Sequence, residues 1–358
     1  MNNPSQDVPG GVPPQAGRRK GRVTVLVGVT VLGLLLAAAW YWWFRSHQRA
    51  VAFAPGALAE YWPENAGGVL TLNLRQMLDS PAGRQYLRGR FRQIIRRGEA
   101  THPWMALLGI DPVQDLDQVQ VIYCAGDLGR PLWLLRGRIS PERFQVGPGK
   151  LTESTAGRFR LYESRAEPPH PPLSPLEGGE GEGGPGTTLA LAGDTLVVCN
   201  DRGRVLAALG HAAGQRPTPP PDPKLVQLLQ QVDQKQSLWA AVDLGKLGPS
   251  GKPPLYAIQL ILGPVLRHAQ SIRGGLTVAE DVRGDFTFHT RDEDAAQTLE
   301  RSLINARDVA KGALELGFMQ TIEKDLLPLV KLLSTAQASR EDTTVRLRCE
   351  LPAEQLGE

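Results

Sequence analysis

The sequence predicts an α+β protein, in which one N-terminal transmembrane helix precedes two mixed units whose strands are mostly antiparallel. Three observations lead to this fold class. An uncharged apolar stretch fills residues 23–44, and a helix needs about 20 such residues to cross a bilayer. After a connector at residues 45–66, alternating and helix-periodic segments follow each other to the end of the chain. A proline-rich segment at residues 217–223 divides this body and is predicted to be a stiff linker.

Residues 23–44 are predicted to stay in the membrane as a single-pass anchor. Backbone groups in lipid must hydrogen-bond within their own segment, so an apolar run of this length is expected to be helical. Residues 1–22 form a predicted disordered tail whose basic side chains directly precede the apolar stretch. This charge bias favours a cytoplasmic N-terminus and an extracytoplasmic body at the inner (cytoplasmic) membrane. The alternative is a signal peptide cleaved near Ala37–Ala39, but five aromatic residues, 40–44, continue the apolar run.

Charge and composition limit the classes of partner. The net charge of +3 lies in the tail, because the remaining residues carry equal numbers of basic and acidic side chains. A neutral body without a basic patch interleaved with aromatic residues argues against nucleic-acid binding. The predicted partners are therefore the lipid bilayer and another envelope protein, and the sequence leaves the oligomeric state open.

The first predicted unit covers residues 67–216. Its alternating segments predict strands at residues 69–74, 119–123, 132–138 and 159–162, and a hairpin at residues 189–198. Helices are expected to start at Asp79–Ser80–Pro81, where a capping side chain precedes a proline, and after the capping residues Asp111 and Asp201. Residues 167–186 are rich in Pro, Gly and Glu and are predicted to be a flexible surface insertion.

The second predicted unit covers residues 224–358. Its alternating segments predict strands at residues 238–244, 271–278, 285–290 and 343–351. Helix-periodic segments are found at residues 224–234, 256–268 and 319–333. A long helix is expected after Asp292, which can cap it, with Leu299 and Leu303 on one side.

The two units have similar local sequences, which suggests an internal repeat. Leu70–Met77 parallels Ala240–Leu247, and Phe159–Tyr162 parallels Val345–Arg348. Both units have the order strand, helix, strand, strand, helix, strand, and this βαββαβ order is the ferredoxin-like arrangement. We therefore predict two ferredoxin-like units, which could share one continuous sheet. The alternative is coincidence of a common pattern.

No catalytic, cofactor-binding or metal-ligating residue is predicted. The sequence lacks the GxSxG, HExxH, phosphate-loop and EF-hand motifs, and its six histidines are scattered singly. His289 follows Asp285 and precedes Asp292, so a catalytic histidine oriented by a carboxylate is one hypothesis. An exposed strand histidine is the other, simpler hypothesis.

Acidic, basic and cysteine residues each have a structural and a functional interpretation. Residues 111–117 contain three aspartates, which we interpret as helix caps and a solvated turn, since calcium needs about six to eight oxygen ligands. Residues 84–97 contain six arginines. They are interpreted either as the solvated face of a helix or as a surface that binds anions. Cys124, Cys199 and Cys349 lie in strand-like runs, either as buried thiols or as one disulfide with a thiol left over.

The basic tail and single N-terminal anchor occur together with LLGIDPVQDLDQV at residues 107–119 and RDEDAAQTLERSL at residues 291–303. This combination resembles uncharacterised single-pass membrane-anchored extracytoplasmic proteins of bacteria, of the planctomycete type. The resemblance implies no activity, so it supplies no site residues. We predict a membrane-anchored extracytoplasmic scaffold or binding module of the cell envelope that is not an enzyme. The alternative is an envelope hydrolase or transferase with an unrecognised active site.

Overall fold

The computed structural model of the protein describes residues 58–89, 91–92, 107–147, 150–164, 186–215, 222–247, 268–315 and 327–357. These residues form the strands β1 (Ala66–Leu72), β2 (Leu116–Cys124), β3 (Asp127–Gly137), β4 (Leu151–Ala156), β5 (Phe159–Ser164), β6 (Thr187–Ala192), β7 (Thr195–Cys199), β8 (Leu238–Asp243), β9 (Ala269–Val278), β10 (Asp281–Thr290), β11 (Gln337–Glu341) and β12 (Thr344–Pro352). The α-helices are α1 (Leu74–Asp79), α2 (Pro112–Asp115), α3 (Arg202–Ala212), α4 (Pro223–Gln230), α5 (Leu244–Leu247), α6 (Glu293–Glu315), α7 (Leu327–Ser334) and α8 (Glu354–Gly357).

The transmembrane part of the predicted fold class has no support in the structure. Among the helices of the described ranges, none is both long and apolar enough to cross a membrane. The tail at residues 1–22, the anchor predicted at residues 23–44 and most of the insertion at residues 167–186 lie outside the described residues.

All twelve strands join in one sheet, in the order β11-β12-β10-β9-β8-β1-β2-β3-β7-β6-β5-β4. The prediction of two ferredoxin-like units is therefore wrong. A split βαβ arrangement requires a helical crossover between parallel strands, whereas all neighbouring strands here are antiparallel and β1 pairs directly with β2. The strand β1 is buried along nearly its whole length. Because an unpaired edge there would leave backbone groups without partners, β1 also pairs with β8.

The strands on the two sides of the β1–β8 pair follow the same order. One half-sheet runs β1-β2-β3-β7-β6 and the other runs β8-β9-β10-β12-β11, while β4 and β5 extend the first half. Leu70 lies directly opposite Ala240, the first matched pair of the predicted repeat, whereas Leu72, which the repeat matches with Val242, lies opposite Leu238. The match of Phe159–Tyr162 with Val345–Arg348 is not reproduced, because β12 corresponds in position to β7 rather than to β5.

One row of side chains crosses the whole sheet, because directly paired residues of antiparallel strands point to the same side. From β11 to β4 the row contains Gln337, Arg348, Asp285, Gly275, Trp239, Thr71, Gln120, Leu134, Val197, Ala190, Leu161 and Ser154. The side chains are polar at the β11 end and become apolar past Gln120. The two half-sheets therefore present different chemistry on the same side.

Different elements cover the two half-sheets. In the first half, α3 packs on β6 and β7 with Val205 and Leu209 fully buried, and Trp62 Nε1 donates a hydrogen bond to Gln120 Oε1 at 2.9 Å. In the second half, α6 packs on the opposite side of the sheet, where Leu299 and Phe288 belong to one apolar cluster. On the row side of the second half-sheet Arg346 and Arg348 are exposed, whereas Ser271 and Thr287 are buried.

The sequence predicted helix caps and hairpins more reliably than it predicted the topology of the sheet. The predicted capping roles of Asp111 and Asp201 are confirmed, because their carboxylates accept hydrogen bonds from the amides of Val113 at 2.9 Å and Arg204 at 3.1 Å. The hairpin predicted at residues 189–198 is also confirmed as β6 and β7. Two strands were missed, β4 and β11. Both are edge strands of the sheet, and their exposed polar residues weaken the alternation on which strand prediction depends.

The three cysteines are free thiols, which decides between the two interpretations of the sequence. Cys124 and Cys199 are fully buried in the core. Burial raises the pKa of Cys124 to about 12 and that of Cys349 to about 11, and it raises the pKa of Cys199 as well. Because the thiolate is the reactive form, these residues are expected to be chemically inert in the folded protein.

Alkylation tests this expectation. At mildly alkaline pH, iodoacetamide should leave the native chain unmodified, and it should add three carbamidomethyl groups after denaturation without reductant. Intact mass spectrometry measures both states. Rapid labelling of the native chain at more than one site would contradict the burial of Cys124 and Cys199. Fewer than three additions in denaturant would show that a disulfide is present.

Candidate functional site

The row side of the second half-sheet is lined by polar side chains on four adjacent strands, and we call this surface the polar face. Its members on β9, β10, β11 and β12 are Ser271, Arg273, Thr277, Arg283, Asp285, Thr287, His289, Gln337, Ser339, Glu341, Thr344, Arg346, Arg348 and Glu350. The opposite side of the same strands carries Phe286, Phe288 and Val345 against α6. Regular alternation along the strands thus separates a charged surface from an apolar core.

An aspartate at the centre of the polar face is held by two arginines. Arg346 Nε donates to Asp285 Oδ1 at 2.8 Å while its Nη2 donates to Oδ2, a bidentate arrangement. Arg348 Nε lies 3.6 Å from the same carboxylate. The hydrogen bonds from Arg346 hold the pKa of Asp285 below its ordinary value despite partial burial. The carboxylate therefore stays ionised and is already engaged by its own chain.

A shallow depression of about 490 Å³ opens beside this group. Its polar lining includes Gln236, Thr277, Arg283 and Glu350. Arg283 is paired with Glu350 at 3.0 Å and with Asp281 at 2.7 Å. The side chain of Arg283 is nevertheless 64% exposed, so a ligand can reach it from solvent.

Arg273 differs from the other arginines of the polar face. Within the described part of the chain it has no carboxylate partner, and its guanidinium donates to His289 Nε2 at 3.5 Å and to the Gln231 carbonyl at 3.3 Å. Both distances are long for hydrogen bonds of this type. Burial lowers the pKa of Arg273, and the nearby charge of Arg346 lowers it further. The cation is thus placed beside another cation.

The structure places His289 next to cations rather than beside the carboxylates that were proposed to orient it. A guanidinium can only donate, so Nε2 of His289 accepts from Arg273, and Nδ1 carries the ring proton and donates to Thr344 Oγ1 at 3.2 Å. Burial lowers the pKa of His289, as do Arg273 and Lys224. The lowered pKa favours the neutral imidazole, and Nε2 faces the guanidinium of Arg273.

The two aspartates of the histidine hypothesis have other partners. Asp285 binds Arg346 and Arg348, and Asp292 accepts a hydrogen bond from the amide of Ala295 at 2.7 Å at the start of α6. The structure brings none of these carboxylates to the imidazole. A catalytic pair of His289 with an orienting aspartate is not formed in this arrangement.

The aspartates of residues 111–117 are also used separately. Asp111 caps α2, Asp115 pairs with Arg143 at 2.8 Å and Asp117 pairs with Arg75 at 2.8 Å. No group of three potential metal-ligating side chains converges within the described ranges. The capping interpretation is therefore confirmed for Asp111, whereas Asp115 and Asp117, which lies on β2, form ion pairs rather than a solvated turn.

The arginine-rich segment at residues 84–97 is described only in part. Arg88 pairs with Asp79 at 2.5 Å and donates to the Leu78 carbonyl at 3.2 Å. Residue 90 and residues 93–106 lie outside the described residues. The anion-binding interpretation of this segment stays a prediction.

The polar face itself was missed by sequence reasoning, although a signal was present. On β10 and β12, charged residues alternate with apolar ones, as in Arg346–Leu347–Arg348. Such alternation indicates one polar side per strand, but it cannot show that four such strands are neighbours. Comparisons of the chain with protein-family models, with curated proteins and with solved structures found no match. The chemistry of the polar face is therefore inferred from its own geometry.

Proposed function

We propose that the protein is a non-enzymatic binding module of the cell envelope, and that the polar face docks a partner protein. This proposal rests on one observation: the row side of the sheet changes from covered to exposed at Trp239. On one side of it the sheet is covered by α3 and Trp62. On the other side the same surface exposes ion-paired arginines, with Arg346 and Arg348 at 46% and 61% side-chain exposure.

Charged side chains of this kind favour reversible docking at a surface over burial within the chain. Burying unpaired charge is costly, so a face with several arginines remains in water until a complementary surface covers it. Arginine is enriched at protein interfaces because its planar fork binds carboxylates bidentately. Among the described residues His289 has no orienting carboxylate, and its Nε2 faces the guanidinium of Arg273, which supports binding over catalysis by this histidine. The envelope location in this proposal rests on the sequence alone, on residues 1–44.

Site-specific photo-crosslinking tests the proposal. A photoreactive amino acid replaces Ser339, an exposed residue of the polar face on the edge strand β11, in the cells that naturally produce the protein. The matched control replaces Thr155, an exposed polar residue on β4 at the other edge of the sheet. A discrete protein adduct is expected from position 339 and not from position 155. Equal adducts from both positions, or none from position 339, would overturn the proposal.

A further inference from the structure

The geometry of Arg273 allows the occupant of the polar face to be specified more closely. The three other arginines of the face each have a carboxylate within reach: Arg346 and Arg348 share Asp285, and Arg283 has Asp281 and Glu350. Among the described residues, Arg273 contacts only the imidazole of His289 and the Gln231 carbonyl. Its guanidinium has five N–H donors, so most of its hydrogen-bonding capacity is unused.

The charge of Arg346 acts on Arg273 more strongly than the opposing charge of Asp285 does. Thr287 lies opposite both Arg273 and Arg346, which places the two guanidinium-bearing residues on the same row, one strand apart on either side of β10. Lys224 also contributes positive charge near His289, although its own ammonium is paired with Asp243 at 2.7 Å. An anion placed above the buried Thr287 would therefore lie between two cations.

We propose that Arg273, together with Arg346, binds a carboxylate of an acidic peptide segment in the partner protein. This inference rests on the proposed function and specifies its occupant. The Arg346–Asp285 pair shows the same chemistry within the chain, a guanidinium fork on a carboxylate. Asp285 and Glu350 are interleaved with the arginines, and their charges would repel a continuous phosphate surface such as a lipid bilayer or a nucleic acid. A peptide can place single carboxylates between them.

Fluorescence anisotropy with labelled hexaglutamate and hexaglutamine peptides provides the test on the whole chain. Hexaglutamate is expected to bind and hexaglutamine is not. The Arg273→Gln variant should weaken hexaglutamate binding by about tenfold, the loss of one charge-assisted contact. The control is Arg158→Gln, because Arg158 also has no carboxylate partner in the described ranges but lies at the β4–β5 hairpin, over the ring of Phe159. Its effect should stay below about twofold.

Two further measurements separate the possible outcomes. Inorganic phosphate should displace hexaglutamate no better than chloride at matched ionic strength, and both variants should keep the thermal midpoint of the wild-type chain. Equal losses in the two variants, or specific displacement by phosphate, would overturn the carboxylate assignment. Failure of hexaglutamate to bind while the adduct from position 339 still forms would reject this inference and leave the proposed function standing. If hexaglutamate does not bind and position 339 gives no adduct, both this inference and the proposed function are rejected.

Discussion

Replacing Trp239 by alanine is expected to lower the free energy of unfolding by about 4 kcal/mol. Trp239 is fully buried on β8, and it lies opposite Thr71 on β1 and opposite Gly275 on β9. Because β8 is paired on both sides, the strands cannot move together to fill the space that the indole leaves. The loss therefore includes both the transfer free energy of the ring and the cavity.

The control for this substitution is Trp239→Phe. The indole Nε1 has no hydrogen-bond partner among the described residues, so phenylalanine removes no hydrogen bond and keeps most of the buried ring. We expect a loss of less than about 2 kcal/mol. Denaturant unfolding followed by far-ultraviolet circular dichroism measures both variants. Similar losses for alanine and phenylalanine would show that the cavity is not the dominant cost.

The same unfolding experiment distinguishes one sheet from two independent units. If the half-sheets fold as one body, wild type and Trp239→Ala should each unfold in a single transition. Two independently folding units would give two transitions, with only the second unit shifted by the substitution. The continuous pairing of β1 with β8 leads us to expect the single transition.

The sequence identified elements better than their arrangement, and the reason is physical. Capping by Asp111 and Asp201 depends on residues within three or four positions, so local reasoning can detect it. The pairing of β1 with β8 joins residues about 170 positions apart, and alternation within a strand carries no information about its neighbour. The sequence could therefore raise one continuous sheet only as a possibility, and it could not identify β1 and β8 as the strands that join the two halves.

The candidate site was not predicted from the sequence, again because its contacts join different strands. His289 and Asp285 attracted attention because they are close in sequence, but residues four apart on a strand point to the same side without necessarily being in contact. The partner of His289 is Arg273, from the neighbouring strand. Arg273 in turn carried no sequence signal, since its isolation from carboxylates depends on the residues of β10 and β12 around it.

Replacing Gly274 by alanine is expected to lower the free energy of unfolding by about 3 kcal/mol, combining backbone strain with overpacking. Gly274 has φ +136°, a conformation that residues with a side chain rarely adopt. A Cβ atom there would lie 2.2 Å from the Asp285 carbonyl oxygen and 2.6 Å from Phe286 Cα. These are backbone atoms of β10, so the strand itself would have to shift.

This shift would reach the proposed binding surface, because Asp285 is the residue that holds Arg346 and Arg348. Gly274→Ala should therefore weaken hexaglutamate binding as well as lower the denaturation midpoint. The control is Gly312→Ala in α6, where a Cβ atom would meet nothing within 4 Å. There alanine is expected to raise stability by up to about 1 kcal/mol and to leave peptide binding unchanged. Equal stability of the two variants would contradict the close approach of β9 and β10 on which the geometry of the polar face depends.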